Sequence, residues 1–281
     1  MKVLVTGSTG QLGKEVVTEL QNRGYNVLAP THQKLDLKWD LAVYEYFEKE
    51  KPDAVIHCAA YTNVDKAEED QVQAFEVNAR VTHNLVTASG LIGKPKFLYV
   101  STDYVYEGIG SAALKTTDTT KPINVYGQSK LDGENIIKDF LINYFIVRIS
   151  WLFGEGNNFV NTMLSLKDKE QINVVNDQIG RPTYTKDLSR LLVDMIETDK
   201  YGIYNVSNEG EFVSWADFAK EIFNQKGITT KVNPVSSADY PTKAERPKNS
   251  RLDTSKLTEN GFKLLPEWKD ALKRFLNDKR L

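Results

Sequence analysis

Tyr126 and Lys130 stand four residues apart in Tyr126-Gly127-Gln128-Ser129-Lys130, and on a helix that spacing puts both side chains on one face. A tyrosine ordinarily keeps its proton to about pH 10. A cation beside it favours the phenolate and makes the hydroxyl a more effective acid or base near neutrality. Earlier in the chain, Ser101-Thr102-Asp103-Tyr104 closes an apolar run, where a hydroxyl can hydrogen-bond a carbonyl and hold it beside the phenol. Earlier still, Gly7, Gly10 and Gly13 form a G-x-x-G-x-x-G turn. Glycines permit a tight turn and close approach of backbone to a pyrophosphate. The helix start that follows offers free N–H groups and a partial positive charge. Together these are the parts of a hydride-transfer site served by a dinucleotide.

Such parts need a scaffold that brings strand ends together. Lys2 to Thr6 is a β-branched-rich run stopped by glycine and predicts a buried strand. Leu12, Val16, Val17 and Leu20 give Gln11 to Arg23 a helical stripe, ended by Gly24. Strands follow at Asn26 to Ala29, Ala54 to His57, Lys96 to Ser101 and Tyr144 to Ile149. Between them lie helices at Leu41 to Glu50, Gln71 to Leu91 and Val125 to Asn143, the last carrying the Tyr-Lys pair. Strand and helix alternate at βαβ spacing, which predicts an α/β fold: a Rossmann-type doubly wound parallel sheet with right-handed crossovers.

After Trp151 the pattern loosens into a smaller, mixed C-terminal lobe over the carboxyl edge of the sheet. Helices are expected at Asn158 to Lys167, Lys186 to Thr198, Trp215 to Lys226 and, opened by Pro266, Glu267 to Leu276. Residues 1–150 are therefore read as a dinucleotide-binding domain and 151–281 as a substrate lobe, with about 176–206, including a strand at Gly202 to Val206, able to return to the main sheet.

Bulk composition narrows the function classes. The chain has 281 residues, 41% hydrophobic and 26% charged, with a formal net charge of -2, so no overall positive field draws it to nucleic acid or anionic lipid. A single cysteine, Cys58, excludes an intrachain disulfide. The first apolar run is cut at Gly7, too short for a signal core or a membrane span, and the protein is expected in the cytoplasm. His32, His57 and His83 are scattered, without metal-ligand spacing.

The second strand ends in Ala29-Pro30-Thr31-His32-Gln33-Lys34, with no carboxylate to repel a 2′-phosphate and with His32 or Lys34 to attract one. That favours NADPH, with NADH tolerated. Asp36 and Leu37 are placed to bracket the adenine, and Ala59-Ala60-Tyr61 to let the cofactor ribose pack against the chain. His57 reads as a core residue rather than a catalyst.

The chain resembles the extended short-chain dehydrogenase/reductases, and within them the dTDP-4-dehydrorhamnose reductases, nearly end to end. The resemblance is carried by Gly7-Ser8-Thr9-Gly10-Gln11-Leu12-Gly13, by Ala59 to Glu68, by Ser101-Thr102-Asp103-Tyr104-Val105 and by Asn124-Val125-Tyr126-Gly127 with Lys130. Arg148-Ile149-Ser150-Trp151, Asp177 to Thr183 and Arg246-Pro247-Lys248-Asn249-Ser250 complete it. The resemblance implies a catalytic triad of Thr102, Tyr126 and Lys130 that reduces the C4 ketone of dTDP-4-dehydro-L-rhamnose. It implies cofactor contacts along the whole first turn, Gln11 and Leu12 included, and from Tyr126 and Lys130. It further implies substrate contacts from Thr102, Asp103, Tyr104, Trp151, Asn158 and Arg246, with Asn78 in support. Some members pair through a magnesium site of carboxylates, for which Glu15 is a candidate; monomer and homodimer both remain open. Related 4,6-dehydratases carry Asp-Glu after the threonine, whereas this chain has Asp103-Tyr104, which favours simple reduction over elimination. Epimerases and a dinucleotide-binding regulatory subunit without turnover are the alternatives.

Overall fold

The computed structural model describes residues 1–93 and 95–278, so the last three positions of the expected lobe lie outside the described residues. Five strands of the main sheet come from the first 150 residues: β1 (Lys2–Thr6), β2 (Asn26–Leu28), β3 (Ala54–His57), β4 (Lys96–Thr102) and β5 (Tyr144–Ile149). The sheet has six strands. From one edge the order is β2, β1, β3, β4, β5 and the strand Gly202–Val206, every neighbour parallel. The chain reverses direction across the sheet between β1 and β3, which opens a crevice at their carboxyl ends.

Both faces of the sheet are covered, and residue alternation decides which side chain goes where. Val3, Val5, Ile56, Leu98 and Val147 face one way, onto helix α1 (Gln11–Asn22) and the helix Thr185–Ile196. Leu4, Val55, Phe97 and Ile146 face the other, onto helix α2 (Asp40–Glu50) and the helices Val81–Leu91 and Val125–Phe140. Each fully buried aliphatic side chain contributes about 1.5–3 kcal/mol. A separate core, with Phe153, Val160, Phe218, Trp268 and Phe275, holds the C-terminal lobe together.

Three local expectations are corrected. The single helix expected over Gln71 to Leu91 is Gln71–Phe75, a π-helical turn Glu76–Arg80 and Val81–Leu91. The wider turn carries the fully buried Asn78, whose amide is occupied by the loop after β3 and by the helix Val125–Phe140. The helix expected to reach Asn143 stops at Phe140, because Leu141 turns to extended backbone to lead into β5. Pro266 does not open the last helix. It lies in the short strand Leu265–Glu267, paired with Asn208–Glu209, its carbonyl accepting from Asn208 Nδ2 at 2.9 Å, and the helix is Trp268–Leu276.

Candidate active site

The glycine turn is built as its spacing requires. Gly7 has φ +65°, and a Cβ there would come within 2.7 Å of the Ala59 backbone nitrogen, so the turn lies directly against the chain leaving β3. A Cβ on Gly13 would collide with the Gly7 carbonyl, so α1 packs onto its own turn only with glycine there. Gly10 differs. It is the N-cap of α1 with no side-chain cap, and a Cβ on it would meet only the Gly7 carbonyl oxygen, at 3.2 Å. The first N–H groups of α1 therefore face the open cleft, a cradle suited to a pyrophosphate.

The cleft spans about 970 Å³ and is lined by Gly7, Gly10, Gln11, Leu12, Gly13, Ala59, Ala60, Thr102, Asp103, Tyr104, Tyr126, Lys130 and Trp151. A second pocket of about 300 Å³ adjoins it through Gly7 and Ala59 and is lined by Thr31, His32, Asp36, Leu37 and Lys38, at the position expected for the adenosine end. His32 lines it, whereas Lys34 does not; Lys38 does, and it pairs with Glu76 at 2.9 Å.

Six expected residues stand outside the main cleft lining. Tyr61 is held behind it, its N–H donating to Asn78 Oδ1 at 2.8 Å. Asn158 caps the helix Phe159–Ser165 and donates to Gln11 Oε1 at 2.9 Å, joining the lobe to the cofactor turn. Arg246 forks onto Asp65 at 3.0 and 2.7 Å and lies beside Tyr104. Glu15 is buried in α1. Among the described residues no group of three or more His, Cys, Asp or Glu side chains is placed to hold a metal ion. Asp36 and Leu37 belong to the adjoining pocket.

Thr102 ends β4 and Tyr126 is the second residue of the helix Val125–Phe140. That helix begins where it does because Asn124 caps it, its Oδ1 accepting from Gly127 N–H at 2.8 Å, while its Nδ2 donates to the Glu245 carbonyl at 2.8 Å. Gly127 lets the first turn press on the Tyr104 carbonyl, and Gly133 admits Tyr99 and Asn78 a turn and a half later. Tyr104 and Tyr126 meet edge to face, ring centres 5.7 Å apart. Lys130 is only 2% exposed, and its Nζ sits 3.9 Å above the Tyr99 ring.

The electrostatics depart from the simple expectation that the cation would loosen the phenol. Burial raises the Tyr126 pKa well above the usual tyrosine range, the Thr102 hydroxyl opposing and Asp103 adding to the rise. Burial also lowers Lys130 to about 7, against the pull of Glu134 and Cys58. Desolvation is the largest cause of both shifts, and neither group is a named contributor to the other's. The phenol thus holds its proton at neutral pH, the state a proton donor requires. His57 is lowered to about 3 by burial and is bonded to Thr6 (2.7 Å) and Thr82 (3.1 Å), a neutral core residue.

Beneath the site runs a buried polar network that the sequence did not announce. Glu134, one turn beyond Lys130, accepts from Arg148 Nη2 at 2.6 Å, Arg148 Nε at 2.9 Å and Ser101 Oγ at 2.6 Å. Arg148 Nη1 donates to the Tyr106 hydroxyl at 2.7 Å. An arginine inside the otherwise apolar β5 was the available signal, since a buried guanidinium requires a buried counter-ion. Trp151 has φ +48° and stacks on Trp215 with ring centres 3.7 Å apart.

A parallel doubly wound sheet, a glycine cradle at its crevice and a Thr-Tyr-Lys cluster beside it define a dinucleotide-dependent oxidoreductase of the short-chain type. A family model described as the RmlD substrate binding domain matches residues 1–281. The chain belongs to that family, the dTDP-4-dehydrorhamnose reductases. It is 41% identical to the dTDP-4-dehydrorhamnose reductase of Aggregatibacter actinomycetemcomitans, over 97% of each chain. It is 37% identical to the spore coat polysaccharide biosynthesis protein SpsK of Bacillus subtilis (strain 168), over 99% of this chain and 98% of that one. The crystal structure of dTDP-4-dehydrorhamnose reductase from Bacillus anthracis str. Ames in complex with NADP superposes with a TM-score of 0.94 at 42% identity, covering 98% of both chains.

Proposed function

We propose that this chain reduces the C4 ketone of dTDP-4-dehydro-L-rhamnose to dTDP-L-rhamnose with NADPH, NADH being accepted as well. The observation that carries the reading is the assembly of Thr102, Tyr126 and Lys130 in one cleft with the open glycine cradle, in a chain of this family. In this reading residues 1–150 with about 176–206 bind the cofactor, and the remainder of 151–281 binds the sugar nucleotide. The cytoplasm, where NADPH and nucleotide sugars are both made, is the setting we assign.

When bound, the reduced nicotinamide supplies a hydride to C4. The chain's residues do the rest. Gly7, Gly10 and the start of α1 take the pyrophosphate, and the Asp36–Leu37 pocket takes the adenosine end. Thr102 holds and polarises the carbonyl oxygen. Tyr126 delivers its proton to that oxygen as negative charge develops, and its raised pKa ensures that the proton is present. Lys130 supplies positive charge and donors at the cofactor ribose and the phenol. Trp151 offers an apolar face to the sugar ring. Asp103-Tyr104 lacks the glutamate that elimination uses, so the product keeps its hydroxyl groups.

The test is purified protein with NADPH and dTDP-4-dehydro-L-rhamnose, followed by loss of reduced-nicotinamide absorbance and by identification of the sugar product. Tyr126→Phe should bind cofactor as the wild type does and lose about two to four powers of ten in kcat. Near-normal turnover in that variant would remove the phenol from its role. Cofactor binding with no turnover in the wild type would favour a regulatory subunit instead.

A further inference from the structure

Two acids line the cleft: Glu155 is paired with Lys14, whereas Asp103 directly follows Thr102 and takes no part in the proton and hydride transfers described above. It begins the 3-10 turn Asp103–Val105 immediately after β4 and is only 3% exposed. Its Oδ1 accepts from Thr102 Oγ1 at 3.1 Å. Its Oδ2 is buried with no hydrogen-bond partner among the described residues. Ser250 lies alongside and favours the charged form without completing a bond to Oδ2. No cation among the described residues pairs with it: Lys130 sits over Tyr99, and Arg246 is held by Asp65. The other titratable groups facing it are the Tyr104 and Tyr126 phenols, both of which feel its charge. A buried carboxylate with one oxygen unbonded and no counter-ion is costly unless it takes up a proton.

We propose that Asp103 stores the proton that re-arms the site, passing it through the Thr102 hydroxyl to the Tyr126 phenolate after each reduction. This deepens, and rests on, the ketone-reductase reading above. The steps after hydride transfer move protons only. The sugar alkoxide takes the phenol proton, the phenolate takes that of Thr102, and Thr102 takes that of Asp103. Once the products leave, the carboxylate is reprotonated from solvent entering the cleft that Asp103 lines. The hydride with its electron pair comes from NADPH, which becomes NADP+, so ketone, NADPH and one proton give alcohol and NADP+. Burial lifts the Asp103 pKa to about 6, so the store is partly filled near neutrality and full in mild acid. A donor of this kind supports turnover below its pKa and loses effect as pH rises through it.

The experiment compares wild type with Asp103→Asn, which keeps the size of the side chain and an acceptor for Thr102 but cannot ionise. Wild-type kcat should fall as pH rises through the Asp103 range, about 6, and again through the Lys130 range, about 7. Asp103→Asn should lose the first fall, keep the second, and turn over about tenfold or more slowly at low pH. Small diffusible acids added to the variant should restore part of that rate. NADPH affinity, read by fluorescence titration, should be unchanged. A readout independent of turnover is 13C NMR of labelled aspartate carboxyls, where the wild-type-minus-variant resonance should titrate near 6. An unchanged pH profile in the variant, or an Asp103 carboxyl titrating in the ordinary aspartate range, overturns the proposal; should Asp103→Asn fold poorly, Asp103→Ser supplies the difference spectrum that assigns the resonance. Wild-type protein that does not reduce the sugar nucleotide overturns the underlying reading and the relay together; a reductase with an unchanged Asp103→Asn profile overturns the relay alone.

Discussion

Replacing Lys130 by methionine should stabilise the cofactor-free protein, by an amount that depends on pH in a defined way. The ammonium is 2% exposed, and burial lowers its pKa from 10.5 to about 7 despite Glu134 and Cys58. At about 1.4 kcal/mol per pH unit, that change corresponds to about 5 kcal/mol. Below pH 7 the lysine is charged in the folded and unfolded chains alike, and the folded protein bears the whole cost. Between about 7 and 10.5 the folded chain has released a proton that the unfolded chain still holds, so wild-type stability rises with pH. Above 10.5 both are neutral and the cost is gone. Methionine does not titrate and fills a similar volume. Urea unfolding of both proteins, followed by tryptophan fluorescence at about pH 6, 8 and 9, should show a gap that is widest at the lowest pH and narrows by about 1.4 kcal/mol per unit above 7. The variant should have lost turnover throughout. A gap that stays constant over that window would refute the reasoning, because it would mean that the folded lysine titrates as it does in water.

Three further outcomes follow from the geometry. Gly10→Val should weaken NADPH binding by at least tenfold in a fluorescence titration with little change in fold, because its side chain would fill the cradle rather than collide with the protein; unchanged affinity would misplace the pyrophosphate. Trp151→Ala should raise KM for the sugar nucleotide more than KM for NADPH, and equal effects would mean that the ring serves only its stack on Trp215. Glu134→Ala should cost about 3–5 kcal/mol in thermal or urea unfolding, since it leaves the Arg148 guanidinium buried and unpaired; Glu134→Ala with Arg148→Met should recover much of that loss.

The parallel sheet was legible because each strand is a short apolar run and each early crossover has one clear stripe. The cradle and the Tyr-Lys pair were legible because their chemistry demands fixed spacing. What escaped were interactions made by residues far apart in the chain. Tyr99 beneath Lys130, Glu134 with Arg148, and Asp65 with Arg246 are pairings of strand, helix and lobe that no local period encodes. The π-helical turn at Glu76–Arg80 was hidden because its residues fit an ordinary helical stripe, and only the demand placed on Asn78 from two sides widens it. The strands of the lobe are two to five residues long, too short for alternation to stand out. The sign of the tyrosine's shift was missed for a related reason: spacing reports proximity, whereas burial, which dominates here, is a property of the finished fold.

The route of the backbone has a consequence for anyone wishing to exchange specificities within this scaffold. After β5 the chain departs, comes back to lay Thr185–Ile196 against α1 and Gly202–Val206 against β5, then departs again. A fragment stopped at residue 150 would therefore bare the flank of β5 and the outer stripe of α1. The C-terminal lobe is thus written in two separate stretches of gene with a piece of the main-sheet framework spliced between them, so on the division of labour proposed above transplanting sugar recognition takes several joins rather than one.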